Sequence, residues 1–537
     1  MLDKTKKDWW KDAVLYQIYP KSFQDTNDDG IGDLPGITQN LDYLERLGID
    51  GIWLSPICSS PQEDNGYDIS DYRSIDPMFG TMTDFEELVS EARSRGISII
   101  MDLVLNHTSD QHEWFKDARK SRDNPYHDYY IWRDGEEGIL PNDLPAVFGG
   151  PVWHWVPEVG QYYYAGFSPY QPDLNWENPA VRRELYDMIR FWIGKGVEGF
   201  RLDAIAHISK DVDNGVWMNG KDLHPYLKEL RREAFPEDGI MTVGEAGLEG
   251  LDSVRSYTDG SELDMVFEFS IHHYGGYDRW KNEKPPVSAL RDYFTFWQQN
   301  LHENGWNALF LENHDLPRIV SRWGSEAPHQ KESAKMLAAL FLGLEGTPFI
   351  YQGSELGMTN LRLPLDEYVD LAVKSEYAKG LELGYSEEEA IEIVQAQNRD
   401  NARTPMQWNT EPNAGFTKGV PWLPVNPNFQ EINAEAEMAD PDSVFNFYRQ
   451  LIALRKELPV FRTGEFTPLQ RDSATVLAYR RDSADGHLLI ACNMTEDSQP
   501  FDVPADFADA DLIAANYPDA EGALRPFETR IMHFTDQ

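Results

Sequence analysis

Three acidic residues stand where apolar, β-branched stretches turn polar: Asp203 in GFRLDAIAH, Glu245 in TVGEAG and Asp315 in ENHD. An Asp at such a junction often does no more than cap the helix that follows. Arg201 adds a second reading, because on a strand residues two apart face the same way. A guanidinium in that position holds a neighbouring carboxylate ionised. His314 sets a neutral hydrogen-bond donor beside Asp315. Carboxylates gathered at one rim, one kept basic and one kept protonated, suit cleavage of a glycosidic bond. The first attacks the anomeric carbon while the second protonates the departing oxygen.

A second acidic group lies in DTNDDGIGD, with Asp25, Asn27, Asp29 and Asp33 interleaved with Gly30 and Gly32. Alternating oxygen side chains around a glycine turn, with the Ile31 carbonyl between them, match the donor set of a hard cation. An EF-hand would need a glutamate at the twelfth position counted from Asp25. Gly36 stands there, and a strand rather than a helix precedes the loop. A plain Asp/Gly turn is the alternative.

These residues need a scaffold that brings strand ends together. Eight short runs read as strands: 13–20, 49–56, 97–107, 197–204, 240–246, 265–269, 307–315 and 347–353. Amphipathic helical sequence lies between them, such as ITQNLDYLERLG, FEELVSEARSRG and VRRELYDMIRFWIGKG. Repeated βα units predict an α/β fold, a (β/α)8 TIM barrel with its chemistry at the carboxyl ends of the strands. Residues 108–170, rich in Trp, Tyr, Pro and Gly, are too long for an ordinary loop and predict an inserted small domain after strand three. The barrel then comprises 1–107 and 171–458, with a helical insertion at about 356–408. From 459 to 537 the pattern alternates, and VLAYRRDSADGHLLIACNMT predicts antiparallel strands around an Asp-Gly turn. A C-terminal antiparallel β-domain, built as a sandwich, is expected there.

Composition narrows the partners. The formal net charge is −43, from 91 Asp and Glu against 48 Lys and Arg. So negative a field disfavours nucleic acid and anionic membrane. Two distant cysteines, Cys58 and Cys492, suggest no disulfide framework. No apolar run is long enough to span a bilayer, and MLDKTKKDWWKDAV does not resemble a signal peptide. The expected compartment is the cytoplasm.

The segments DLVLNH, GFRLDA, VGEA and ENHD, in that order on successive strands, resemble the four signature regions of the α-amylase family of glycoside hydrolases. DNGYDISDY, QPDLNWENP and RDNARTPMQW are similar to segments of its oligo-1,6-glucosidase and α-glucosidase subgroup. The resemblance implies roles for matching residues. Asp203 would be the nucleophile, Glu245 the acid/base, and Asp315 the partner of the sugar 2- and 3-hydroxyls. Arg201, His107 and His314 would line the same subsite, and a nucleophile-to-acid separation of about 5–5.5 Å would follow. Asp64 and an arginine of RDNARTPMQW, Arg403 in preference to Arg399, would grip the far hydroxyl of a single terminal glucose. Tyr67 would stack on its ring. Phe148 and Phe167 would wall the pocket near Gln171. The resemblance also implies a structural Ca2+ held by Asp25, Asn27, Asp29, Ile31 and Asp33.

The residue after the nucleophile is Ala204. In the subgroup, Val at that position goes with α-1,6 cleavage and a smaller residue with α-1,4 cleavage. Methyl-scale discrimination is worth about 1–3 kcal/mol, a preference rather than an absolute. Residues 199–210 also resemble bacterial exo-α-1,4-glucosidases. The expected enzyme is a retaining, exo-acting α-glucosidase on maltose-like oligosaccharides. Oligo-1,6-glucosidase (isomaltase) and transglycosylating relatives such as trehalose synthase or sucrose isomerase are the alternatives. Trehalose-6-phosphate hydrolase is similar too, but the acidic balance and the lack of an evident basic phosphate pocket argue against it.

Overall fold

The computed structural model describes residues 6–235, 239–246, 250–274, 280, 284–302 and 305–536. Eight strands form a barrel: β1 (Leu15–Ile18), β2 (Gly51–Leu54), β3 (Ser98–Val104), β4 (Gly199–Asp203), β5 (Met241–Glu245), β6 (Met265–Phe267), β7 (Asn307–Leu309) and β8 (Thr347–Tyr351). They close in the order β1-β8-β7-β6-β5-β4-β3-β2. Each pairing is parallel.

Every residue of β3 and of β4 is buried, as expected where helices cover the outside and side chains fill the inside. Inward-facing Leu15, Trp53, Ile100, Met241, Val243, Met265, Phe267 and Phe349 pack with Trp9 and Trp10 as an apolar plug. Gly199, in register with both Ile100 and Met241, makes room for them: a Cβ there would come within 3.0 Å of Ile100. Two residues further along the same inward rows stand Asp102, Arg201 and Glu245, and Asp203 follows Arg201 by two. The register that buries the apolar layer therefore delivers the charged layer to the carboxyl rim. Asp102 and Arg201 are direct partners across β3 and β4.

The helix expected over residues 37–48 is two helices, Leu34–Gln39 and Leu41–Leu47. Asn40 separates them, its side-chain amide donating to the Gly36 carbonyl at 2.9 Å. Asn competes for backbone groups in this way, which favours helix ends over interiors.

Between β3 and β4 the chain forms a helix (Glu113–Ala118) and a three-stranded antiparallel sheet, with Gln161–Tyr164 between Trp132–Asp134 and Trp153–Val156. Trp153, Tyr162 and Tyr164 pack there with Val152 and Val212. After β8, helices Val373–Glu382 and Glu387–Gln397 pack around Leu363, Tyr368, Ala390 and Val394. A capping box of Ser386 and Glu389 starts the second.

The C-terminal region is one five-stranded antiparallel sheet, ordered Glu465–Leu469, Val476–Ser483, Gly486–Asn493, Thr529–Phe534, Asp511–Ala515. This corrects the expected sandwich, since the described residues form no second facing sheet. Tyr479 on this sheet donates to the Leu340 carbonyl of helix Gln330–Leu342, so the barrel supplies one covering layer. Phe501, Phe507 and Leu524 form another small core against Val476, Ala478 and Leu489. Among the described residues no helix is long and apolar enough to cross a membrane.

Candidate active site

At the barrel rim Arg201 binds three carboxylates. Nη1 donates to Asp102 at 2.8 Å and to Asp203 at 2.6 Å, and Nη2 donates to Glu245 at 2.7 Å. The Arg201 side chain is 1% exposed, that of Asp203 11% and that of Glu245 29%, so access is from the Glu245 side. Burial pushes the Asp203 carboxyl up, and the adjacent guanidinium opposes that push. Burial raises Asp102 to about 6, again against the pull of Arg201. Arg201, although desolvated, stays fully charged because carboxylates surround it.

Asp315 projects from the loop after β7. Arg403 donates to its Oδ1 at 2.7 Å, Arg399 does so at 3.3 Å, and His314 Nε2 lies 3.2 Å from Oδ2. Burial disfavours its charge, but His314, Arg399 and Arg403 together hold it well below the usual carboxylate range. His314 itself is brought down to about 3 by burial, so its contact with Asp315 is a hydrogen bond of a neutral ring. The Gln17 amide donates to His314 Nδ1 at 2.8 Å, which places the ring proton on Nε2. Nε2 lies 2.6 Å from the Tyr67 hydroxyl, which donates to Asp102 at 3.1 Å. A chain of bonds thus runs from Gln17 through His314 and Tyr67 to Asp102 and Arg201. One face of Tyr67 is already stacked on His314, with centroids 5.4 Å apart.

The opposite wall is set by Asp64 and Gln171. Gln171 donates to Asp64 at 2.9 Å, and its amide nitrogen is 3.1 Å from His107 Nε2. His107 also meets the Tyr67 carbonyl at 3.0 Å, and burial lowers it to about 4. Burial raises Asp64 to about 6. Arg399 rather than the preferred Arg403 is the arginine beside Asp64, 3.9 Å away, while Arg403 Nε is committed to the His314 carbonyl. The two arginines are four residues apart on the short helix Asp400–Arg403 and its N-cap, and both reach Asp315. Arg399 also lies over the Phe148 ring at 5.1 Å, and Phe148 lies 6.2 Å from Phe167.

Ala204 follows Asp203 with a left-handed backbone, φ 44° and ψ 37°, and starts the short turn Ile205–Ile208. Its N–H donates to Glu245 at 3.1 Å, so this tight corner also orients the third carboxylate.

The loop from Asp25 to Asp33 lies apart from these contacts. Asp25 accepts from the Asn27, Asp28 and Gly30 amides and from Thr417; Asn27 accepts from Asp29, and Asp29 from Ile31. Asp33 accepts from Thr26 and caps helix Leu34–Gln39 through Gly36. The donor types fit a hard cation. Yet among the described residues no three Asp, Glu, His or Cys side chains converge as a metal cluster.

Three groups at the site escaped the sequence reading. Asp102 belongs to the DLVLNH segment but shows its role only through its register with Arg201. Asp370 is fully buried and binds Arg399 bidentately at 2.7 and 2.9 Å. Lys210 is buried against Asp173 and donates to Asn106 at 2.8 Å, tying the return of the inserted domain to the residue before His107.

The chain is similar to known proteins along nearly its whole length. Residues 17–464 match the family model described as alpha amylase, catalytic domain. An oligo-1,6-glucosidase of Parageobacillus thermoglucosidasius is 45% identical over 553 residues, covering 97% of this chain and 98% of that protein. A trehalose-6-phosphate hydrolase of Escherichia coli strain K12 is 46% identical over 541 residues, covering 97% and 98%. The crystal structure of an isomaltulose synthase from Klebsiella sp. LX3 superposes with a TM-score of 0.94 at 41% identity, covering 98% of this chain and 99% of that one.

Proposed function

The chain belongs to the α-amylase family of glycoside hydrolases, and within it we propose a retaining, exo-acting α-glucosidase that releases glucose from short α-linked gluco-oligosaccharides. The observation that carries this reading is the placement of Asp203 and Glu245 on the two terminal nitrogens of one buried guanidinium. Double displacement needs two closely spaced carboxyl groups; an inverting pair stands further apart to seat a water. Asp203, held by Arg201, attacks the anomeric carbon as Glu245 gives its proton to the glycosidic oxygen. The C–O bond to the leaving sugar breaks and an ester to Asp203 forms. Water then enters, Glu245 takes its proton, and the ester is cleaved from the opposite face. Two inversions leave the anomeric configuration unchanged. Asp315, kept ionised by Arg399 and Arg403, is suited to accept hydrogen bonds from sugar hydroxyls. Asp64, Gln171 and Arg399 close the far end, which favours one terminal glucose.

For linkage, Ala204 supports α-1,4 preference, because its single methyl beside Glu245 leaves space for the leaving sugar. The second reading is α-1,6 preference, favoured by the names of relatives about 45% identical. The deciding experiment measures kcat/KM on maltose, isomaltose, sucrose and trehalose 6-phosphate under one condition. Preference for maltose supports the first reading, and preference for isomaltose replaces it with the second. Turnover confined to trehalose 6-phosphate, or rearrangement of sucrose without glucose release, removes both.

We also propose that the loop from Asp25 to Asp33 takes calcium. Asp25, Asn27, Asp29, the Ile31 carbonyl and Asp33 would hold it, and the ion would supply charge neutralisation and cross-linking of the first βα loop, apart from the reacting groups.

A further inference from the structure

A line of aromatic rings leads out of the pocket. His107, which touches Gln171, has its ring 5.1 Å from that of Phe167. Phe167 lies 5.0 Å from His207, and His207 lies 5.0 Å from Trp217. The ring planes meet at 49° to 55°, so no ring is stacked flat on the next. Trp217 is 44% exposed, and its neighbour Val216 is 38% exposed.

Trp217 is firmly placed. Asp211 and Val216 exchange backbone hydrogen bonds of 2.7 and 2.9 Å, closing the loop that ends immediately before it. Arg133 of the inserted domain binds Asp213 in the same loop bidentately, at 2.7 Å for each bond. His207 hydrogen-bonds the Trp217 backbone, and burial holds its ring near 3, hence uncharged. Were Trp217 only packing the junction with the inserted domain it would be covered, as Val212 of the same loop is. An indole held in place with one part open to water offers a face on which a ligand with an apolar face can stack. Sugars present such faces through their C–H groups, and they are neutral, which suits a molecule of net charge −43.

His207, the ring next to Trp217 in that line, belongs to the turn Ile205–Ile208 that follows Asp203 and Ala204, the corner that holds Glu245 and with it the side of the leaving sugar. We propose that Trp217 is a stacking platform for the second sugar beyond the scissile bond, so that the protein prefers glucosides of three or more units to disaccharides. This inference rests on the glucosidase reading above.

The test compares kcat/KM on α-D-glucosyl fluoride and on the trisaccharide of whichever linkage the wild type prefers. Trp217→Ala is expected to lower the trisaccharide-to-fluoride ratio about tenfold, the scale of losing one aromatic contact. Trp217→Phe is expected to restore most of it. Thermal unfolding of both variants establishes that they fold. An unchanged ratio, or no recovery in Trp217→Phe, overturns the proposal while leaving the glucosidase reading in place. A wild type that fails to cleave glucosyl fluoride overturns both.

Discussion

The guanidinium of Arg201 touches Asp102, Asp203 and Glu245, one positive charge against three carboxylates. Glu245 is the most exposed of the three, so it is the one that solvent and a leaving sugar can reach. Once Asp203 becomes an ester its charge is gone, as the second step with Glu245 as base requires. The two roles separate with a substrate that needs no acid. Glu245→Ala is expected to keep substantial glucosylation on glucosyl fluoride while losing at least about a hundredfold on maltose. Asp203→Asn is expected to lose both, and stopped-flow release of fluoride reads the difference. Residue 204 sits at a corner whose positive φ suits few side chains, β-branched ones least. Ala204→Val is expected to lower the thermal midpoint slightly and to move the maltose-to-isomaltose ratio about tenfold toward isomaltose. Equal ratios in variant and wild type would show that residue 204 does not read the linkage.

At the scale of elements, the helical insertion after β8 reaches the pocket through one pair. Asp370 fixes Arg399 in a bidentate grip, and its own backbone N–H is held by Asp400 at 3.0 Å. Asp370→Asn keeps the shape but gives up the charge that orients Arg399. The expected result is a KM raised about tenfold with a smaller change in kcat, and recovery in Asp370→Glu. A KM unchanged in a folded variant would place Arg399 under other control. Much of this level was legible from sequence. Strand periodicity and polar strand ends located the eight strands and the rim, and the two-residue step from Arg201 to Asp203 signalled their shared face. Cross-strand register is not legible in sequence, and it is the register of β3 with β4 that sets Asp102 beside Arg201. The sequence favoured Arg403 as the partner of Asp64 where the structure puts Arg399, because residues four apart share one helical face and spacing does not rank them. Asp370 lies in a stretch with no periodicity linking it to the pocket. The C-terminal alternation located strands but could not say whether their second face met a sheet or a helix.

On the scale of the whole molecule, the barrel, the inserted domain and the helical insertion each contribute to one pocket, through Asp203, Phe167 and Arg399 in turn. The charge of −43 raises cation concentration over the entire surface, so a calcium effect on stability must be separated from general screening. In about 0.15 M NaCl, where screening is already strong, EGTA is expected to lower the thermal midpoint of the wild type and to have less effect on Asp29→Asn. Equal shifts would assign the effect to the surface rather than to the loop at Asp25–Asp33.

The most direct test of the double displacement is the anomer first formed. Proton NMR during the opening minutes of turnover, before mutarotation, reads it without reference to linkage. The expected product is α-glucose, made by two inversions through Asp203. Initial release of β-glucose would mean a single inversion, and would contradict the roles given to Asp203 and Glu245.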